Sequence, residues 1–91
     1  MTESPLVTVE FLGIVRQRAG DERGEFAAKN LRELWRAVAE QYPQLEGVCL
    51  DAGTLKNGYL ASIDGRRFTR NSEESLSPGE HILLLSADAG G

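Results

Sequence analysis

Apolar and polar positions alternate near the start of the chain, over residues 6–12. Every second residue there is large and apolar: Val7, Val9 and Phe11. Side chains two apart on a strand share a face, so we predict a first strand with these three residues in the core. Residues 13–20 predict a tight or 3₁₀-like connection. A weaker strand follows over 21–28, where Gly24 and acidic residues favour a sheet edge.

A helical period replaces the alternation over residues 31–42. Apolar side chains recur there on one stripe: Leu31, Leu34, Trp35, Val38 and Tyr42. Asn30 is a favourable N-cap, and Glu33 three residues later completes a start that resembles a capping box. Pro43 lacks an N–H and ends the helix. We therefore predict one main amphipathic helix with this stripe in the core.

The second half of the chain contains turn signals that delimit strands. Asp64-Gly65 predicts a type I′ hairpin between strands over 59–64 and 66–69. Pro78-Gly79 suits the centre of a type II turn before a last strand over 80–86. The continuous apolar run at 82–85 is typical of a strand covered on both faces, hence central.

The element order is strand, strand, helix, strand, short strand, strand. We predict an α+β fold in which a mixed sheet of four to five strands packs on one main helix. The last strand should be central and parallel to the first, which is the arrangement of a β-grasp, or ubiquitin-like, roll. Because no residue after Leu85 is large and apolar, we predict a domain over 1–85 and a flexible tail over 86–91.

Composition excludes several classes of function. The 91 residues predict one domain, and a net charge of −4 argues against nucleic acid as a partner. Arg66, Arg67 and Arg70 cluster, but acidic residues follow them, so we interpret the cluster as a solvated hairpin face that an acidic partner could meet. One cysteine, Cys49, and one histidine, His81, give no disulfide and no zinc site of usual spacing. We interpret Cys49 as a buried, inert thiol.

The sequence shows no signal peptide and no apolar run near the ~20 residues that span a membrane. We therefore expect a cytoplasmic protein. Its last residues are small, and Gly90-Gly91 has no side chains, so this segment suits insertion into a narrow active site of another protein. The alternative is a frayed chain end without function.

Three segments resemble a known family. They are Val7-Thr8-Val9-Glu10-Phe11-Leu12-Gly13-Ile14-Val15-Arg16, the helix over 31–42, and the ending from Leu76-Ser77-Pro78-Gly79-Glu80 to Gly90-Gly91. The chain resembles the MoaD/ThiS family of ubiquitin-like sulfur carrier proteins, and MoaD, the small subunit of molybdopterin synthase, more closely. Ser86-Ala87 stands where many molybdopterin-pathway members carry prolines, so the pathway stays open.

The resemblance implies a reaction at Gly91, preceded by Gly90. An adenylyltransferase of the ubiquitin-activating type (MoeB/ThiF-like), using ATP and magnesium, would adenylate the terminal carboxylate. A persulfide sulfur donor would then give a thiocarboxylate for sulfur transfer. The chain itself would be a carrier that binds no cofactor or metal, and it would also serve a synthase large subunit (MoaE-like).

Strand parity predicts the surface that meets these partners. If Ile82 and Leu84 face the helix, Leu83 and Leu85 face away from it. The resemblance places further partner contacts along the sheet and the tail: Leu12, Arg67, Ser86, Ala87, Asp88 and Ala89. The alternative is that residues 44–57 fold over these leucines and bury them.

Other functions stay open at this point. A ubiquitin-like modifier would use the same activation chemistry and then link Gly91 to lysines of target proteins. A sulfur carrier could also serve thiamine, tRNA thiolation or cysteine synthesis. A plain β-grasp binding module would use none of this chemistry.

Overall fold

The computed structural model describes residues 4–87, which form a mixed five-stranded sheet and two α-helices. In chain order the elements are β1 (Leu6–Phe11), α1 (Gly13–Ala19), β2 (Arg23–Ala27), α2 (Leu31–Gln41), a 3₁₀ turn (Pro43–Leu45), β3 (Leu50–Asp51), β4 (Thr54–Leu55), β5 (Tyr59–Ile63), β6 (Arg67–Thr69) and β7 (His81–Ser86). The sheet order is β2-β1-β7-β5-β6, and β3 pairs with β4 in a separate hairpin. β1 and β7 are parallel, whereas the other neighbours are antiparallel. The predicted α+β class and central, parallel last strand are confirmed.

The core lies between the sheet and α2. The apolar residues of β1 that were predicted to face inward are at most 1% exposed, and Ile82 and Leu84 of β7 are fully buried. The predicted stripe of α2 packs against them. The cap of this helix is also confirmed, since Asn30 Oδ1 accepts a hydrogen bond from the Glu33 N–H at 2.9 Å. Glu33 Oε1 in turn accepts from the Lys29 N–H at 2.9 Å.

Two turns place the strands, and both have the predicted type. Asp64 and Gly65 have φ values of 55° and 68°, as a type I′ turn requires. Gly79 has φ 81°, and the Glu80 N–H donates to the Ser77 carbonyl at 3.2 Å, which makes a type II turn. This second turn brings the chain into β7.

The structure of residues 13–20 differs from the 3₁₀-like connection that the sequence predicts. They contain a seven-residue α-helix, α1, whose buried residues Val15 and Ala19 lie one turn apart. Gly20 follows as a left-handed C-cap with φ 77°, and its N–H donates to the Arg16 carbonyl. The burial of Val15 and Ala19 against the sheet stabilises a helix that is too short to be stable alone.

The segment over 44–57 packs on the helix side of the core. Its residues Leu45, Cys49 and Leu50 are fully buried in the same cluster as the stripe of α2. Gly53 lies against α2 so closely that a Cβ there would come within 2.9 Å of Arg32 Cγ. This segment therefore covers the helix side and leaves the other face of the sheet open. Neither helix among residues 4–87 is long and apolar enough to cross a membrane.

Candidate docking face and tail exit

The side of the sheet opposite α2, called here the open face, carries an apolar patch. In β7, Leu83 and Leu85 are partly exposed while Ile82 and Leu84 are fully buried. Leu85 pairs with Leu60, and Leu83 pairs with Ser62. The prediction that Leu83 and Leu85 face away from the helix is therefore confirmed. The expectation that β7 is covered on both faces is wrong, because residues 44–57 lie on the other side.

Leu12 extends the patch at the end of β1. Its N–H donates to the Leu84 carbonyl at 3.1 Å, which continues the parallel ladder and places Leu12 beside Leu85. Leu12 is partly exposed. The structure thus brings Leu12, Leu83 and Leu85 together on the open face.

Arg67 does not join this group, because the register of β6 differs from that of a two-residue hairpin. Such a hairpin would pair Ser62 with Arg67, on the open face. The structure instead pairs Ile63 with Arg67 and Ser62 with Phe68, so Arg66 is an extra residue beside the turn. A shift by one residue reverses the faces of a strand. Arg67 consequently shares the parity of buried Ile63 and forms an ion pair with Glu74 at 2.7 Å.

Phe68 takes the place on the open face that Arg67 does not occupy. Its side chain is 65% exposed, which is unusual for a residue of this size and polarity. It pairs with Ser62, which is only 1% exposed and which pairs in turn with Leu83 on the far side of β5. Counting positions from the Asp64-Gly65 turn would not have found it, because the extra residue Arg66 has no sequence signal.

A polar pair borders the patch near the start of β7. His81 Nε2 lies 2.9 Å from Glu10 Oε1 on the neighbouring strand. The His81 side chain is 40% exposed, so this contact lies at the surface. Within residues 4–87, no group of three or more histidine, cysteine, aspartate or glutamate side chains lies where it could hold a metal ion.

The other sequence candidates have structural contacts. Cys49 is fully buried, and its burial, followed by the charge of Glu46, raises the pKa of the thiol to about 11. The predicted burial of Cys49 is confirmed, and a raised pKa favours low reactivity of its thiol. Arg70 donates to two backbone carbonyls, those of Tyr59 and Leu55. Arg66 and Arg67 line a depression of about 300 Å³ at the hairpin end, together with the acidic Asp64 and Glu80.

The last described residues of the chain lie at the end of β7. Ser86, predicted to begin the tail, pairs with Tyr59. The Ala87 N–H donates to the Gly58 carbonyl at 2.6 Å, so the ladder extends one residue further. The remaining predicted site residues lie outside the described residues: Asp88, Ala89, Gly90 and Gly91. Ala87 is therefore the last described point of the chain, at the same end of the sheet as Leu12 and Leu85.

Comparisons with known proteins identify the architecture. The chain matches no family model and no curated protein sequence. It is similar to the solution structure of small archaeal modifier protein 1 from Methanosarcina acetivorans, with a TM-score of 0.82 and 20% identity over 100% of both chains. The fold is the β-grasp. The order β2-β1-β7-β5-β6 with α2 across one face is thus that of ubiquitin-like proteins.

Two further structures share this β-grasp. One is a chain of the BexX/CysO complex from Amycolatopsis orientalis, with a TM-score of 0.77, 20% identity, and coverage of 93% of this chain and 99% of that chain. The other is a putative molybdopterin converting factor, subunit 1, from Pyrococcus furiosus, with a TM-score of 0.71, 17% identity, and coverage of 91% and 98%. Identities this low establish the fold alone, so the function rests on the residues themselves.

Proposed function

We propose that this β-grasp protein is a sulfur carrier whose Gly91 carboxyl group is adenylated and then converted to a thiocarboxylate. The observation that carries the proposal is the position of β7. This central strand ends at Ser86, Ala87 still donates to the Gly58 carbonyl beside the apolar open face, and the sequence that follows is small and contains Gly90-Gly91. A partner seated on the open face would therefore meet the segment that contains Gly91.

The chemistry requires an activating enzyme, because a carboxylate is ionised at neutral pH and is a poor electrophile. An adenylyltransferase of the MoeB/ThiF type would let the carboxylate oxygen attack the α-phosphorus of ATP, with magnesium balancing the phosphate charge and pyrophosphate leaving. The terminal sulfur of a persulfide donor would then displace AMP from the acyl adenylate, and a second thiol would release the thiocarboxylate by cleaving the sulfur–sulfur bond. The carrier supplies the reacting carboxylate, and the need for ATP favours the cytoplasm as the site of the reaction.

The open face would provide the contact with both partners. Five apolar side chains of the sheet lie on that face, Phe68 exposed and the others partly exposed: Leu12, Leu60, Phe68, Leu83 and Leu85. Contiguous apolar surface is typical of protein interaction sites. A synthase large subunit of the MoaE type would bind after sulfur loading. Arg67, which lies on the opposite parity, stays a predicted contact only for a partner that also reaches the β6 edge.

Molybdopterin synthesis is the pathway that we favour, and the structural neighbour named as a molybdopterin converting factor subunit supports it. The runner-up is a protein modifier joined through Gly91 to target lysines. This second function is supported by the likeness, over the full length of both chains, to a protein named as a modifier. A sulfur carrier for cysteine synthesis would use the same activation step.

Intact mass spectrometry of the protein purified from its own host tests the proposal. A sulfur carrier should show a fraction whose mass corresponds to one oxygen-to-sulfur exchange, and this fraction should disappear in a variant that lacks Gly90-Gly91. Adducts on lysines of other proteins would instead support the modifier. A wild-type mass that continues beyond Gly91, or one with neither change under growth that demands the pathway, would contradict both functions.

A glycine series sharpens the test. Gly91→Ala and Gly90→Ala should slow adenylation, since a Cβ restricts the backbone and adds bulk in a narrow channel. Ser4→Ala is a suitable control variant, because residue 4 lies before β1 and belongs to none of the proposed contacts. ATP–pyrophosphate exchange catalysed by the host's adenylyltransferase measures the step directly.

A further inference from the structure

Arg70 follows β6 in the chain, and its contacts lead towards Ala87, the last described residue. Its Nε donates to the Tyr59 carbonyl at 3.1 Å, and its Nη2 donates to the Leu55 carbonyl at 3.1 Å. These two carbonyls stand on either side of the segment 56–58. One guanidinium group therefore bridges both ends of a short turn.

The bridged segment is a tight turn with its own hydrogen bond. The Tyr59 N–H donates to the Lys56 carbonyl at 3.2 Å, and Gly58 has φ 91°. A positive φ at the third residue of a hydrogen-bonded turn is the geometry of type II. The turn is held from its other side as well, since Lys56 Nζ donates to the Gly47 carbonyl at 3.0 Å. The orientation of the Gly58 carbonyl is thus fixed by contacts around it.

That carbonyl holds the end of β7. The Ala87 N–H donates to it at 2.6 Å, next to the last ladder pair of Tyr59 with Ser86. The contacts form a continuous path from Arg70 through the turn to Gly58 and then to Ala87. Arg70 is separated from Ala87 by a whole strand in the sequence, and no sequence pattern connects the two.

We propose that Arg70 is a positioning residue that fixes the exit of the C-terminal segment, through the turn at 56–58, for the activating enzyme. The inference rests on the proposed function for its consequence in the reaction, but the contact path itself is testable without any partner. When the exit is fixed, a larger share of free molecules presents Gly91 in a direction that a docked enzyme accepts. The apparent affinity of the enzyme for the carrier rises with that share.

Hydrogen exchange measured by NMR on the full chain tests the path. In Arg70→Gln, the Ala87 amide should exchange about 3- to 10-fold faster, the range expected when hydrogen bonds from a partly exposed charged donor are lost. Amides in the middle of β7, such as that of Leu83, should keep their rates. Arg70→Lys should behave as Arg70→Gln does, because one ammonium group does not reproduce the fork that reaches two carbonyls.

Two further variants complete the design. Arg32→Gln is a matched control, because it also removes an arginine from the surface, but one whose partner is the Glu73 carboxylate. It should leave the Ala87 rate unchanged. Gly58→Ala perturbs the turn directly through its positive φ, with no clash within 4 Å of the new Cβ. Gly58→Ala should accelerate exchange of the Ala87 amide although Arg70 is intact. It replaces Arg70→Gln in the exchange test if that variant does not fold.

The enzymatic readout separates positioning from general stability. With the host's adenylyltransferase, Arg70→Gln should raise the KM for the carrier about 3- to 10-fold and leave kcat within about twofold, since the seated segment reacts as before. An unchanged Ala87 rate, faster exchange throughout β7, rescue by Arg70→Lys, or an unchanged KM would each overturn the inference. If wild-type protein is not adenylated at all, the proposed function fails, while the exchange rates still decide whether Arg70 holds the exit.

Discussion

Leu84 and Leu85 are adjacent residues of β7 whose replacement by alanine should have opposite consequences. Leu84 is fully buried between the sheet and α2, whereas Leu85 is partly exposed on the open face. Removing a buried leucine side chain costs about 2–5 kcal/mol, because the transfer energy is lost and a cavity remains. For Leu85 we expect less than about 1.5 kcal/mol, since part of its surface is already in water and no closed cavity forms.

These energies translate into separate melting temperatures and separate activities. For a domain of this size, 1 kcal/mol shifts Tm by about 4–8 °C, so Leu84→Ala should lower Tm by at least about 8 °C. Urea unfolding followed by the fluorescence of Trp35, the only tryptophan and 1% exposed, measures both variants. In adenylation assays below the Tm of each variant, Leu85→Ala should raise the KM for the carrier and Leu84→Ala should not.

Equal losses of stability in the two variants would refute the assignment of faces on β7. Wild-type KM in Leu85→Ala would refute the docking role of the open face while leaving the fold intact. Leu84→Met serves as a milder core variant if Leu84→Ala does not fold, because a swap that keeps the volume costs less than about 1.5 kcal/mol.

Three further predictions concern the helix cap, the thiol and a buried tyrosine. Asn30→Ala should lower the free energy of unfolding by about 1 kcal/mol in urea titrations, because the Glu33 N–H loses its acceptor; no change would show that the cap is not formed in solution. Cys49 should react with iodoacetamide at about pH 8 only after unfolding, because burial raises the pKa of its thiol to about 11; rapid reaction of the native protein would contradict its burial. The hydroxyl of Tyr42 donates to Asp21 Oδ2 at 2.7 Å and lowers the pKa of that carboxyl below its ordinary value. The hydrogen bond therefore stabilises the fold above the pKa of the unfolded state, and this stabilisation is lost as the pH falls through the lower pKa of the folded state. Tyr42→Phe should therefore flatten the fall of Tm below about pH 4, and an unchanged acid limb would contradict the hydrogen bond's role.

Local patterns predict most of the fold because several elements are encoded by their own residues. The alternation of Val7, Val9 and Phe11 sets the inward face of β1 whatever its neighbours are. Asn30 caps the start of α2 by accepting a hydrogen bond, and Pro43 ends the helix because it has no N–H to donate. Both effects are local. The parity of Leu85 follows in the same way, so the central part of the open face can be predicted from the sequence alone.

Features that depend on which other segment of the chain an element packs or pairs with could not be predicted from the sequence. The helix α1 has only seven residues, and its Val15 and Ala19 become informative only when the sheet is there to cover them. The extra residue Arg66 moves Phe68 to the open face and Arg67 away from it. The residue types in this hairpin do not signal the shift, because the register of β6 is set by its pairing with β5.

The boundary of the C-terminal segment is also set by a pairing partner and not by the local side-chain pattern. Ser86 and Ala87 are small, so side-chain burial predicts that they belong to a free tail, but their backbone groups find partners at Tyr59 and Gly58. A ladder hydrogen bond does not depend on the size of the side chain, and the length of β5 therefore decides where β7 stops. Residues 88–91 connect Ala87 to the carboxyl group of Gly91, and four residues span at most about 14 Å. An enzyme that adenylates Gly91 would therefore have to bring its active site within about 14 Å of Ala87, close to the end of the sheet that carries Leu12 and Leu85.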